Sequence, residues 1–384
     1  MKTACGSSRP QRPKFCNLML QRAGQVVKHN VDNLQLILMM NSGSAAGSIL
    51  TIIWIQHVMV NTLPSERCLA VAVATPLTPD FHPDVPRLIA HISGLLTAGC
   101  DGVTIFGTTG EGAEFSVEDR EATLETIIRA GISPGRIVVS AGTASIPDVV
   151  RLASHATSQG VHGVLLMPPP FYRSGITEDA TFRYFSTIID RVADPVLRLY
   201  LYHFPDICGV PITAQVMRRL DERYPGTIAG IKDSGGDLDF TMDLIRRFSH
   251  LSVFTGSEIH LPELVAAGGR GTICGLGNVM PRLMRAMIDE PTAFDRRALV
   301  PLVQSGDAIL SRRPFIPSIK AVVAESLGDA AWLRVIPPMP DLPLQERNRI
   351  SADFTAWDAA LPPAMRSLAH TDASPTNVVD LRRA

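Results

Sequence analysis

The chain has 384 residues, 46% of them hydrophobic and 19% charged, with a formal net charge of -1. That length and composition can bury a large core, as one barrel-sized domain or two ordinary ones. The near-zero charge, with no basic helix and no aromatic–basic alternation, gives no nucleic-acid-binding signature.

The six cysteines, Cys5, Cys16, Cys68, Cys100, Cys208 and Cys274, are scattered and form no paired Cys-x-x-Cys set. The pattern argues against a zinc site and suits reduced thiols in a cytoplasmic protein.

Residues 1–66 differ in character from the rest of the chain. Lys2, Arg9, Arg12, Lys14, Arg22 and Lys28 meet no acid in 1–30, and 34–60 then runs without a charge. Three readings of this extension stay open: a disordered segment, a wrongly assigned start upstream of 60–64, or a membrane anchor. The run is long enough to span a bilayer, and its basic flank fits a cytoplasmic side. Against an anchor, Gln35, Asn41, Ser42, Ser44, Ser48, Gln56 and His57 dilute it.

From residue 67 onward, short apolar runs alternate with helical patterns. Strands are predicted at 69–75, 102–106, 137–141, 163–167, 196–202, 227–232, 251–255 and 271–274. Their spacing of roughly 20–35 residues suits βα units. Their near-continuous apolar character suits parallel strands covered on both faces. Ser116-Val117-Glu118-Asp119 is a capping box, and Gly131 is placed to end the helix it opens. Thr177-Glu178-Asp179 opens the next clear helix.

Eight such units imply a (β/α)8 TIM barrel over 67–280. A doubly wound sheet would want a dinucleotide fingerprint, and no G-x-G-x-x-G follows the first strand. Helices at 280–289, 293–305, 316–327 and 341–359 form a C-terminal appendix (281–360), followed by a loose tail (361–384).

Active sites of such barrels lie at the C-terminal ends of the strands. The sixth strand ends in Gly230-Ile231-Lys232-Asp233, which puts one lysine at the end of a buried run. Burial disfavours the charged form of an amine, so an inward lysine needs an ion-pair partner or a use as a nucleophile toward a carbonyl. Gly107-Thr108-Thr109-Gly110-Glu111, after the second strand, offers hydroxyls and loop amides that suit a small carboxylate or phosphate. Tyr202, at the same rim, is either an acid–base group or a core tyrosine with a satisfied hydroxyl. His203 and Asp233 alternate with their neighbours and should face the helices. Gly268-Gly269-Arg270-Gly271 reads as a connection at the opposite end. No obvious carboxylate cage faces Lys232.

Gly107-Thr108-Thr109-Gly110-Glu111, Tyr202-x-x-Pro205, Gly230-Ile231-Lys232-Asp233 and Gly256-Ser257, in this order, resemble the dihydrodipicolinate synthase / N-acetylneuraminate lyase family. Its members are class I pyruvate-dependent aldolases on a (β/α)8 barrel. The likeness covers roughly 67–350 and leaves out 1–66.

The resemblance implies that Lys232 forms an imine with pyruvate or another 2-oxo acid. Tyr202 would be the acid–base group, and Thr108 and Thr109, with Gly107 and Gly110, would hold the carboxylate. Tyr172 would complete a proton relay from a neighbouring subunit, which implies a homotetramer of tight dimers. Gly256 and the backbone of Ile273 would line the imine pocket. The covalent imine needs no further cofactor and no metal.

One departure bears on the second substrate. The family's lysine-biosynthesis synthases carry an arginine where this chain has Ile207, and that arginine binds a carboxylate. Arg173, directly after Tyr172, is either a replacement for that cation or a solvated loop arginine. The expected reaction is C–C bond making or breaking between pyruvate and an aldehyde, on a 2-oxo-3-deoxy sugar acid or similar 4-hydroxy-2-oxo acid. The alternatives are a true dihydrodipicolinate synthase, a dehydratase using the same imine, and a non-catalytic 2-oxo-acid-binding barrel.

Overall fold

A computed structural model describes residues 26–31, 34–39, 63, 67–171, 175–290 and 292–367. The chain divides into two units, Met1–Asn61 and Thr62–Ala384. In the first, the strands Val26–Val31 and Leu34–Met39 pair antiparallel. The rest of Met1–Asn61 lies outside the described residues. Among the described residues, no helix is long and apolar enough to cross a membrane.

The second unit is a closed barrel of eight parallel strands. They are β1 (Cys68–Ala72), β2 (Gly102–Ile105), β3 (Ile137–Ser140), β4 (Gly163–Leu166), β5 (Leu199–His203), β6 (Ile228–Asp233), β7 (Ser252–Thr255) and β8 (Gly271–Cys274). Each pairs with its neighbours in chain order, and β8 closes on β1.

Besides the single turn Pro205–Cys208, the helices between strands are α1 (Val85–Thr97), α2 (Val117–Arg129), α3 (Ile146–Ser158), α4 (Glu178–Val192), α5 (Ala214–Arg223), α6 (Leu238–Arg247) and α7 (Leu261–Ala266). After β8 comes α8 (Pro281–Asp289). Asp84, Ser116, Ser145, Thr177, Thr213 and Asp237 each cap a helix by accepting from a backbone N–H three residues on. Such caps contribute about 1 kcal/mol each. Every one stands at the C-terminal end of the barrel, where strand hands over to helix, so they also fix the loops of the mouth.

The period-2 alternation of a strand divides the core in two. Ala70, Ala72, Val138, Leu165, Tyr200, Tyr202, Phe254 and Ile273 fill the barrel interior. Leu69, Val71, Val103, Ile105, Leu199, Leu201 and Ile231 face the helices.

The sequence places all eight strands and misses mainly at ends. β1 ends three residues before the expected Thr75, and Val196 stands three residues ahead of β5. Val196 is 67% exposed, because its N–H is taken by the Asp194 carboxylate (2.9 Å) in a turn that delays β5 to Leu199.

Three further helices complete the unit: α9 (Ala293–Leu310), α10 (Phe315–Leu327) and α11 (Leu344–Ala360). Helix α9 runs five residues past its expected end at Ser305. Gly306 provides close packing in this extra turn: a Cβ there would lie 2.7 Å from the Trp357 ring of α11. Of the expected loose tail, 361–367 is held by bonds from Arg366 to the Leu361 carbonyl (3.0 Å) and from the Ser367 N–H to Asp358 (2.7 Å). Residues 368–384 lie outside the described residues.

Candidate active site

The β5–β6 register sets Tyr202 beside Lys232 and His203 beside Asp233. Alternation then sends the two pairs to opposite faces. Lys232 and Tyr202 point into the barrel mouth. His203 and Asp233 point to the helices, as the pattern predicts. The His203 ring packs against Phe240 of α6, and its Nδ1 accepts the Ile212 N–H (2.9 Å). The Asp233 carboxylate accepts from Thr241 (2.5 Å) and from the Gly235 N–H (2.9 Å). These bonds anchor the loops after β5 and β6, and so hold Ile207 and Ser234 at the rim.

Lys232 is 6% exposed. Its Nζ lies 3.1 Å from Tyr202 Oη and 4.2 Å from the centre of that ring. Tyr202 Oη in turn lies 3.4 Å from Thr108 Oγ1. Amine, phenol and threonine hydroxyl thus form a chain of donors and acceptors with the amine at its buried end.

The loop that carries Thr108 is tightly constrained. Phe106 (φ 60°) and Glu111 (φ 54°) both sit in the left-handed region. Such conformations persist in non-glycine residues only where the surroundings enforce them. Gly110 has no room for a side chain, since a Cβ would lie 2.6 Å from the Val73 carbonyl. Thr75 donates to the Gly110 carbonyl (2.8 Å).

Lys232, Tyr202, Thr108, Thr109, Gly256, Ile273 and Ile207 line one cavity of about 600 Å³. Gly107 and Gly110 do not line it. The Gly107 carbonyl accepts the Gly110 N–H (3.0 Å), so both shape the turn that presents the two threonines. Gly256 permits close approach, because a Cβ there would lie 2.0 Å from Ser234 Oγ and 3.2 Å from Lys232 Cε. Tyr172 and Arg173 lie outside the described residues.

Two parts of the cavity are not apparent from the strand-end motifs. Glu258, half-buried in the loop after β7, supplies a carboxylate near Lys232 that the strand-end pattern does not reveal. Burial raises its carboxyl to about 7, with the Asp307 charge adding to the effect and Lys232 opposing it. The second part is a wall contributed by the C-terminal helices, through Asp307, Phe315 and Ile316, and by Met339 of the segment between α10 and α11. Gly275 lets this wall close in, since a Cβ there would lie 2.8 Å from the Phe315 ring and 3.1 Å from Thr109 Oγ1. The Pro-Phe-Ile-Pro run at 314–317 is the one sequence signal of that wall. Among the described residues lining the cavity, Lys232 is the one cation. Among all described residues, no cluster of three His, Cys, Asp or Glu is placed to hold a metal ion.

A parallel eight-stranded barrel with an amine and a phenol joined at its C-terminal mouth has the architecture of a (β/α)8 enzyme. The chain belongs to the Dihydrodipicolinate synthetase family, whose model matches residues 66–356, and it is a lyase of that family.

A DapA-like lyase of Chloroflexus aurantiacus is 35% identical over 228 residues, 59% of this chain and 75% of that one. The 4-hydroxy-tetrahydrodipicolinate synthase 2 of Streptomyces coelicolor is 30% identical over 304 residues, 78% of this chain and 97% of that one. The crystal structure of dihydrodipicolinate synthase from Agrobacterium tumefaciens superposes with a TM-score of 0.70 at 31% identity, over 76% of this chain and 99% of that one.

Proposed function

We propose that the chain makes or breaks a C–C bond between pyruvate and an aldehyde through an imine on Lys232. The observation that carries this reading is the contact of the buried Lys232 Nζ with Tyr202 Oη at 3.1 Å, on the same cavity as Thr108 and Thr109.

In the synthetic direction, the neutral amine adds to the 2-oxo carbon and the carbinolamine loses water to give the imine. The iminium is an electron sink, so the methyl group can release a proton and leave an enamine. Its carbon attacks the aldehyde, the new alkoxide takes a proton, and hydrolysis returns the amine. Tyr202 is placed to move protons at the carbinolamine and at the aldehyde oxygen. Thr108 connects it onward. The Thr108 and Thr109 hydroxyls hold the carboxylate. Tyr172, supplied by a second copy in a homotetramer, would extend the relay.

The second substrate is assigned from charge. The names of the relatives include a DapA-like lyase, a 4-hydroxy-tetrahydrodipicolinate synthase and a putative 2-dehydro-3-deoxy-D-gluconate aldolase. Ile207 lines the cavity where a carboxylate-binding arginine would be expected, and Asp206, Glu258 and Asp307 share that cavity. This acidic lining disfavours an anionic aldehyde and suits hydroxyl donors. The substrate class is therefore a 2-oxo-3-deoxy sugar acid or a related 4-hydroxy-2-oxo acid, its hydroxyls facing Glu258.

Pyruvate release from such acids, measured beside pyruvate consumption with aspartate semialdehyde, tests the assignment. Turnover of the hydroxylated acids is expected. Efficient use of aspartate semialdehyde alone would contradict it.

A further inference from the structure

Among the described residues, one ion pair is sealed from solvent, and the imine chemistry does not use it. Glu111 and Lys320 are both fully buried and bonded to each other. The Lys320 ammonium also donates to the Arg334 carbonyl (2.8 Å), and the second Glu111 oxygen accepts the Ile336 N–H (2.7 Å). The partners lie 209 residues apart in sequence.

Each side of the pair leads to the cavity. Glu111 closes the turn that presents Thr108 and Thr109: its N–H bonds the Thr108 carbonyl (3.1 Å) while its backbone is left-handed. Lys320 stands on α10, whose first turn supplies Phe315 and Ile316 to the cavity wall. The strap bonded to the pair, 334–336, continues to Met339 on the same wall.

We propose that Glu111 and Lys320 are positioning residues through which the C-terminal helices set the Thr108–Thr109 cradle for a substrate carboxylate. The proposal rests on the imine mechanism of Lys232. A buried ion pair is an uncertain source of net stability, whereas its fixed geometry specifies an arrangement. Here the arrangement is of three segments meeting at the anion-binding turn. Removing one partner strands a buried charge. A double neutral variant, Glu111→Gln with Lys320→Met, strands none and is the better probe.

The test compares borohydride trapping at Lys232 by pyruvate and by hydroxyacetone, a ketone of similar size without a carboxylate. Wild type should trap pyruvate in preference. In the folded double variant, pyruvate trapping should fall about tenfold or more, as expected for a displaced binding group, with hydroxyacetone trapping unchanged. A folded variant with the wild-type ratio would overturn the proposal and leave the imine mechanism standing. Failure of wild type to trap pyruvate would overturn the imine mechanism and this proposal with it. A second measurement needs no variant: saturating pyruvate should slow amide exchange at Ile336, through Glu111, in wild type. Unchanged exchange there would also overturn the proposal, whether or not the variant folds.

Discussion

Tyr200 and Tyr202 stand two residues apart on β5, both buried and both inside the barrel. Their hydroxyls meet different ends. Toward the N-terminal end, Tyr200 Oη bonds His162 Nε2 (3.0 Å). Around it, Arg136 donates to the Cys100 and Asp101 carbonyls, both at 2.7 Å, and Arg285 pairs with Asp101 at 2.8 Å. At the mouth, Tyr202 Oη meets an amine and a threonine hydroxyl beside an open cavity. One end spends its polar groups on closing the barrel. The other leaves them facing space that a substrate can fill. The same side chain on the same strand thus does structural work at one end and chemical work at the other, and position along the strand decides which.

The largest break in this comparison comes from Lys232→Ala. It should abolish turnover and covalent capture of pyruvate while the fold, read by circular dichroism, persists. Next is the tyrosine pair. Tyr202→Phe removes a proton-transfer group and should lower kcat by about 10²–10⁴-fold. Tyr200→Phe leaves His162 without its phenol and should lower stability by about 1–3 kcal/mol with kcat retained. Equal kcat losses in the two variants would erase the distinction between the ends.

Smaller effects come from pH, and the two ends titrate in opposite senses. Burial, with Arg198 and Arg270 nearby, lowers His162 from 6.5 to about 4. The unfolded chain therefore takes that proton first, and stability is lost as pH falls from 6.5 toward 4, by at most about 1.4 kcal/mol per unit. Glu258 is raised from 4.5 to about 7, so the folded state holds its proton longer. Its contribution is full below pH 4.5 and is lost as pH rises through 7. Melting curves should accordingly show His162→Gln flattening the acid side and Glu258→Gln flattening the fall in stability between pH 4.5 and 7. Glu258→Gln should also narrow discrimination against anionic aldehydes, measured as a ratio of kcat/KM values. No change in that ratio would remove Glu258 from the specificity argument.

The same division separates what is legible in the sequence from what is not. Lys232 stands out because a charge ends an apolar run, and Tyr202, Thr108 and Thr109 because motif and strand end coincide. The barrel emerges from eight apolar runs at βα spacing. Contacts set by tertiary packing leave little local trace. The Glu111–Lys320 pair joins residues on different elements, and Glu111 reads locally as the end of a glycine-rich turn. Asp307 lies beyond the expected helix end at Ser305 and enters the cavity from the last turn of α9. Val196 misleads because an apolar residue in an aspartate-closed turn looks like the start of a strand.

The central claim is that the buried amine of Lys232 is a nucleophile rather than a structural charge. Incubation of the full chain with pyruvate and borohydride, followed by peptide mapping by mass, tests it most directly. A reduced pyruvyl adduct is expected on Lys232 in wild type and none in Lys232→Ala. An unmodified Lys232 in an enzyme that still turns over its substrate would contradict it.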